Sequence, residues 1–367
     1  MNIKDLDTPC LVVDLDQLEK NIEEMGVLAK DHGVALWPMV KTHKSEYIVK
    51  KQLENGAEGV LAAKLGEAEK MVEAGAKKVM MAYPIIGEGK LKRLVALTEK
   101  AEVFCSIDSL EVAEILNEKA ITEGIVFQCI ILIDSGLKRL GIAPHEVKKF
   151  YNSLARLQGI KIVGVGTHGG HVYGAMNTES VMKAGEEEKQ SVLKASEILE
   201  GLGVTCHIIA LGSTPTVMVM ESYKGIKQIR PGNYVFYDAI QVALGVVPLE
   251  NCALRLLTTV LSVPEAGRAI IDGGSKMLGL DAGAHGNTNI RGYGIVKEKP
   301  WIVVQGLSEE LGKLSYHPDE VNLKVGERLE IIPNHACSVA NLVEKIYGVR
   351  NNEVVEEIIV TARGLSQ

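Results

Sequence analysis

A chain of 367 residues, 46% hydrophobic and 24% charged, is long enough for two cores and too apolar for intrinsic disorder, so one large and one smaller domain are expected. Its formal net charge of −7, with no Lys/Arg run interleaved with aromatics, excludes a nucleic-acid or anionic-membrane footprint and leaves a small molecule as the expected partner. The N-terminus lacks the basic flank and apolar run of a signal peptide, and no later stretch of about 20 apolar residues is present to span a bilayer, so the cytoplasm is the expected location.

From residue 17 onward, amphipathic helical stretches alternate with short apolar runs, the pattern of βα units around a parallel sheet. The apolar runs are residues 34–40, 59–63, 78–82, 102–107, 125–133, 160–167, 205–211 and 226–230, with helices such as 67–74, 109–118, 146–157 and 178–202 between them. Eight repeats predict an α/β fold with a closed (β/α)8 TIM-like barrel over residues 17–240, rather than an open Rossmann sheet. Beyond residue 240 the texture changes to β-rich segments at 254–263, 268–272, 301–307, 328–332 and 354–361, punctuated by Gly and Pro. These predict a second, mainly antiparallel β domain built from residues 1–16 and 241–367, with residues 10–14 as its first strand. No Gly/Ser linker separates the two parts, so they are expected to pack closely.

In such a barrel, function lies where the βα loops converge at the C-terminal ends of the strands. Lys41 directly follows the apolar run 34–40, a partly desolvated position that favours a neutral, nucleophilic amine of the kind a Schiff base requires. A strand-end lysine is also compatible with a simple snorkelling or salt-bridged role. Ser213 and Thr214 after the seventh run, and Gly232 and Asn233 after the eighth, bring small residues, hydroxyls and backbone N–H groups to the usual barrel phosphate position. His168, His171 and Tyr173 after the sixth run are candidate acids, bases or stacking groups. In the β domain, His335 and Cys337 stand at i and i+2, expected on one face of a strand with spacing suited to one zinc ion, while a buried structural thiol is the plainer alternative for Cys337. Lys276, in the turn Asp272-Gly273-Gly274-Ser275-Lys276, is the rival to Lys41 and ranks lower because no phosphate cradle adjoins it. The six cysteines lie far apart with no CxxC pair, which excludes a zinc ribbon or dithiol redox motif.

Together these motifs give the sequence a resemblance to the fold-type III pyridoxal-phosphate enzymes, and within them to the D-serine dehydratase and D-threonine aldolase family, related to alanine racemase. The resemblance runs nearly end to end, from Thr8-Pro9-Cys10 through Pro38-Met39-Val40-Lys41-Thr42-His43-Lys44, Gly66-Glu67-Ala68-Glu69, Asp134-Ser135-Gly136 with Arg139, and Arg230-Pro231-Gly232-Asn233-Tyr234. It continues through Asp272-Gly273-Gly274-Ser275-Lys276, Ser308-Glu309-Glu310 and Pro333-Asn334-His335-Ala336-Cys337.

The resemblance implies that Lys41 carries pyridoxal 5′-phosphate as a Schiff base and that Ser213, Thr214, Gly232 and Asn233, with Tyr234 in the same turn, bind the cofactor. It places Arg139 beside the cofactor's phenolic oxygen and Tyr173 near its ring; with His168, a candidate acid or base from its place after the sixth run, Lys41, Arg139 and Tyr173 form the expected catalytic set. His335 and Cys337 match the zinc ligands of the dehydratase branch, whereas aldolase members more often pair His with Asp and use harder divalent metals, so the cysteine favours zinc and dehydration. The implied activity is a lyase on a D-3-hydroxyamino acid, D-serine giving pyruvate and ammonia. Aldol cleavage to glycine and an aldehyde, racemisation, and a non-catalytic cofactor carrier are the alternatives. A homodimer is implied as well. The sequence departs from the family at Trp37 and Met39, where Arg and His are usual, and at Leu311, where dehydratases tend to have His.

Overall fold

The Asp14 carboxylate accepts a hydrogen bond from the Gln17 N–H (3.1 Å) and so starts the first helix, Leu15–Asp31, whose Leu15, Leu18, Ile22, Met25 and Ala29 recur at helical spacing and are buried. In the computed structural model, which describes residues 1–282, 287 and 289–367, this helix leads into eight parallel strands. They are Ala35–Leu36, Val60–Ala62, Lys78–Met81, Glu102–Ile107, Phe127–Ile133, Ile160–Thr167, Ile208–Leu211 and Gln228–Ile229. From Val60–Ala62 onward each pairs with the next in chain order, and Ala35–Leu36 pairs with Gln228–Ile229. The ring closes where Met39 bridges to Leu61 and the Leu61 N–H donates to the Pro38 carbonyl (2.9 Å).

Each of the eight apolar runs contains a strand, and the fold is the expected TIM-like barrel. The first and last strands are only two residues long because Pro38 and Pro231, which have no N–H to donate, follow closely and the chain turns into short 3-10 segments at Val40–Thr42 and Asn233–Val235. The barrel interior is filled by Trp37, Leu61, Met80, Phe104, Ile130, Leu132, Val163, Ile208 and Ala210, with Trp37 set edge-on to Phe104 at a centroid distance of 5.4 Å. Open space lies above this plug, at the C-terminal strand ends.

The second sheet is mainly antiparallel, and Cys10–Asp14 belongs to it as expected. That strand lies between Leu254–Glu265, to which it is antiparallel, and Lys345–Arg350, to which it is parallel. Leu254–Glu265 also pairs with both Arg268–Ile271 and Arg328–Ile332, closing a six-stranded barrel through Gly312–Ser315, Val303–Leu307 and Ile295–Val296. Glu353–Ile359 forms the outer edge beyond Lys345–Arg350. Among the described residues the only α-helices beyond Ala243 are Ser275–Leu278 and Ala336–Val339, and no helix is long and apolar enough to cross a membrane.

Candidate active site

Above the Trp37 plug lies a cavity of about 220 Å³, lined by Lys41, Arg139, His168, Tyr173, Ser213, Gly232, Asn233, His335 and Cys337. These residues come from the ends of the first, fifth, sixth, seventh and eighth barrel strands and from the β domain, so residues up to 296 positions apart in sequence meet in one space: Lys41 with Cys337. Gly232 has to be a glycine, because a Cβ there would stand 2.9 Å from the Met39 carbonyl oxygen. The turn therefore passes directly against the segment that carries Lys41.

Thr214 and Tyr234, expected among the cofactor contacts, do not line the cavity. Thr214 Oγ1 accepts the N–H groups of Gly232 and Tyr234, both at 3.2 Å, and ties the seventh and eighth loops together. The Tyr234 hydroxyl is buried and accepts a hydrogen bond from Gln52 Nε2 (2.9 Å). Both side chains brace the cradle from behind.

Two residues outside the expected set contribute charge. Arg230 lines the cavity, is 5% exposed, and its Nε and Nη2 have no acceptor among the described residues; burial lowers its pKa to about 10 despite the attraction of Glu188. Asp238 is fully buried, and its Oδ2 accepts from both Asn233 Nδ2 (2.6 Å) and the Ala336 N–H (2.9 Å), locking the Gly232–Asn233 turn to the His335–Cys337 segment. Arg230 stands in a motif already visible in the sequence. Asp238 follows the apolar Tyr234-Val235-Phe236-Tyr237, where a lone Asp signals a helix cap, and its Oδ1 does accept the Gln241 N–H (3.1 Å).

His168 is half-buried and its pKa is held down to about 3, first by burial and then by the positive charges of Lys41, Arg139 and Arg230, so it is a neutral imidazole at physiological pH. Tyr173 is pushed well above the ordinary tyrosine range, by burial first and then by the Cys337 charge, and keeps its proton. Arg139 is exposed at the mouth, its guanidinium 5.5 Å from the Tyr83 ring centroid. His171 does not line the cavity; its ring packs over Gly136 and its buried Nδ1 has no partner among the described residues.

His335 and Cys337 are not on a strand. Arg328–Ile332 ends at Pro333, His335 is the extended N-cap residue of Ala336–Val339, and Cys337 sits inside that short helix. The proline ends the ladder, yet the helical turn still brings both side chains to the cavity. His335 Nδ1 pairs with Asp281 Oδ2 (2.9 Å), which also accepts the Ser338 hydroxyl (2.8 Å), so Nε2 is the nitrogen left for Cys337 or a metal. Burial pushes the imidazole down, but the Cys337 thiolate and Asp281 outweigh it and hold it up at about 11. Burial likewise pushes the thiol up, but His335 and Lys41 outweigh it and lower it below the ordinary range. Thr42 Oγ1 lies 3.1 Å from the sulfur. Among the described residues no third His, Cys, Asp or Glu completes a metal-binding group with them.

The rival lysine is elsewhere: Lys276 is exposed and ion-paired with Glu310. Its neighbour Asp272 is structural, accepting from Thr8 Oγ1 (2.6 Å), Thr258 Oγ1 (2.5 Å) and the Thr259 N–H (2.9 Å). Of the departures from the family pattern, Trp37 belongs to the barrel plug, Met39 lines the cavity, and Leu311 is exposed on a turn outside it.

Comparison with known proteins places this geometry. The model of the alanine racemase N-terminal domain matches residues 13–239, and a serine dehydratase domain model matches residues 253–349. D-threo-3-hydroxyaspartate dehydratase of Delftia sp. (strain HT23) is 30% identical over 347 residues, covering 91% of each chain. This chain belongs to the D-serine dehydratase and D-threonine aldolase family. Among other members of the family, D-serine dehydratase of Dictyostelium discoideum is 28% identical over 96% of each chain, and D-threonine aldolase of Arthrobacter sp. is 26% identical over 99% of this chain and 94% of its own. The family fold is shared closely: a solved structure of a D-threo-3-hydroxyaspartate dehydratase, a cysteine-to-alanine mutant in the metal-free form, superimposes with a TM-score of 0.91 at 28% identity over 98% of both chains.

Proposed function

We propose that this chain is a pyridoxal-phosphate-dependent lyase acting on a D-3-hydroxyamino acid in the manner of a D-serine dehydratase, releasing pyruvate and ammonia from D-serine. The observation that carries this reading is that one cavity brings together a strand-end lysine, a hydroxyl-lined glycine turn and a His–Cys pair.

The lining fits the cofactor. Lys41 offers the amine for its aldehyde, Ser213, Gly232 and Asn233 offer small groups and polar atoms for its phosphate, and Arg230 offers unpaired buried donors for its ring. When bound, the cofactor supplies a sink for negative charge developing at the substrate Cα. Lys41, once its amine is free again, would be the base that takes the Cα proton. His168, neutral at physiological pH, and Tyr173, still protonated, orient the reactants by hydrogen bonding rather than by charge.

The donor set of His335 and Cys337 fits a zinc ion with open positions, and Asp281 orients the imidazole for it as a carboxylate does behind a metal-bound histidine. Such an ion would supply a Lewis acid for the departing β-hydroxyl. A soft sulfur ligand favours zinc over harder divalent metals, and that preference supports dehydration over aldol cleavage.

The test is a panel of D- and L-serine and D-threonine assayed for ammonia, keto acid, glycine and aldehyde, with the protein loaded with pyridoxal phosphate and zinc. Ammonia and pyruvate from D-serine, with negligible turnover of L-serine, are expected. Glycine and aldehyde without ammonia would assign the aldolase activity instead, and faster turnover of L-serine would overturn the reading.

A further inference from the structure

The long helix Thr178–Glu200 carries the acidic run Glu186-Glu187-Glu188, whose last member is not on the solvent face: Glu188 is fully buried. Removing a carboxylate from water costs several kcal/mol unless hydrogen bonds replace the solvent. Here three do. Oε1 accepts the N–H groups of Gly169 (2.7 Å) and Gly212 (3.1 Å), and Oε2 accepts the Thr216 hydroxyl (3.0 Å).

Those partners are not arbitrary backbone. Gly169 follows His168 on the sixth loop, and Gly212 precedes Ser213 on the seventh. Thr216 Oγ1 in turn accepts the Ser213 N–H and lies within hydrogen-bond distance of the Ser213 hydroxyl, both at 3.1 Å. The carboxylate is packed as well as bonded, since a Cβ on Gly169 would meet Glu188 Cδ at 3.0 Å. The helix also fixes the seventh loop directly, with Gly185 standing against Thr216. Glu188 itself does not line the cavity.

We propose that Glu188 is a positioning residue for the phosphate end of the site: through Gly212 and Thr216 it holds the Ser213 corner where a phosphate monoester would bind, with Gly169 as its fixed anchor. This rests on the cofactor reading above. The role is one of shape rather than charge, because a glutamine can keep every contact. Its Oε1 can accept both N–H groups while its Nε2 donates to Thr216 Oγ1, whose own proton can turn to the Ser213 carbonyl oxygen 3.2 Å away.

The experiment titrates cofactor-stripped full-length protein with pyridoxal phosphate and, separately, with pyridoxal, which has the same ring and aldehyde but no phosphate, following the visible absorbance of the lysine-bound species. Losing the three hydrogen bonds that hold the Ser213 corner predicts that Glu188→Ala weakens pyridoxal phosphate by about tenfold or more while pyridoxal changes by less than about twofold. Glu188→Gln is expected to stay within about threefold of wild type for both ligands. Thr216→Val, which cuts the link to Ser213 and leaves the carboxylate in place, is expected to show the same phosphate-selective loss and decides the matter if the alanine variant does not fold. Equal losses for the two ligands, or wild-type affinity in both Glu188→Ala and Thr216→Val, overturn the inference while leaving the cofactor reading intact. A wild-type protein with no band for either ligand removes both.

Discussion

Cys337 is the residue on which the proposed chemistry divides. Hydroxide leaves carbon poorly unless it is protonated or coordinated, whereas removal of the Cα proton needs only the cofactor and Lys41. Cys337→Ala is therefore expected to retain cofactor binding and exchange of the substrate α-proton, to lose bound zinc, and to slow ammonia release by roughly a hundredfold or more. Full-rate dehydration by rigorously metal-depleted wild-type protein would return Cys337 to a structural thiol. A second residue, His43, predicts the acid limb of stability. It is fully buried, its Nδ1 accepts the Ser45 N–H (3.1 Å), and the remaining proton on Nε2 faces Gln52 Oε1 (3.2 Å). Burial lowers its pKa from 6.5 to about 4. Below pH 6.5 the unfolded chain binds a proton that the folded one refuses, so stability falls as the pH drops from 6.5 and levels off below about 4. The loss amounts to roughly 3 kcal/mol. Unfolding midpoints measured from pH 7 to 4 are expected to fall less steeply for His43→Gln than for wild type; parallel profiles would mean that His43 titrates normally.

At the scale of elements, the loops that build the site are set by close approaches. Gly232→Ala would drive a Cβ against the Met39 backbone, which has no rotamer to yield, so a loss of roughly 1–3 kcal/mol on denaturant unfolding is expected, together with weaker cofactor binding. An unchanged midpoint would show that the turn can shift. The barrel was legible because its strands are continuous apolar runs, the mark of sheets buried on both faces, and the residues after each run could be assigned to the loop end without coordinates. The strands Ile295–Val296, Gly312–Ser315 and Lys345–Arg350 were not legible: the first two are very short, and Gly348 interrupts the alternation that would have marked the third. The expected His335–Cys337 strand failed on one residue, Pro333, whose effect on the ladder outweighed the apolar segment before it. Glu188 was missed because an acidic run reads as a solvated face. Helical spacing carried the signal nonetheless, since Val181, Ala184, Val192, Ala195 and Leu199 form the buried stripe and Glu188 falls within it.

For the whole molecule, the two sheets meet at the site through Asp238 and Thr42, so neither the barrel nor the β domain holds a complete cavity alone. The exposed turn Ser308-Glu309-Glu310, which resembles a family motif and is followed by the departing Leu311, lies outside the chain's own cavity. We propose that it serves the site of a second subunit in a homodimer, and light scattering is expected to give twice the mass of the 367-residue chain under assay conditions. A fully active monomer would contradict this. Whether the cavity is a pyridoxal-phosphate site organised on Lys41 is decided by reducing the cofactor-loaded protein with borohydride and mapping the modified peptide by mass spectrometry. A pyridoxyl group on Lys41, absent from Lys41→Ala and unaffected by Lys276→Ala, is expected; a pyridoxyl group on Lys276, or none on any lysine, would refute this assignment.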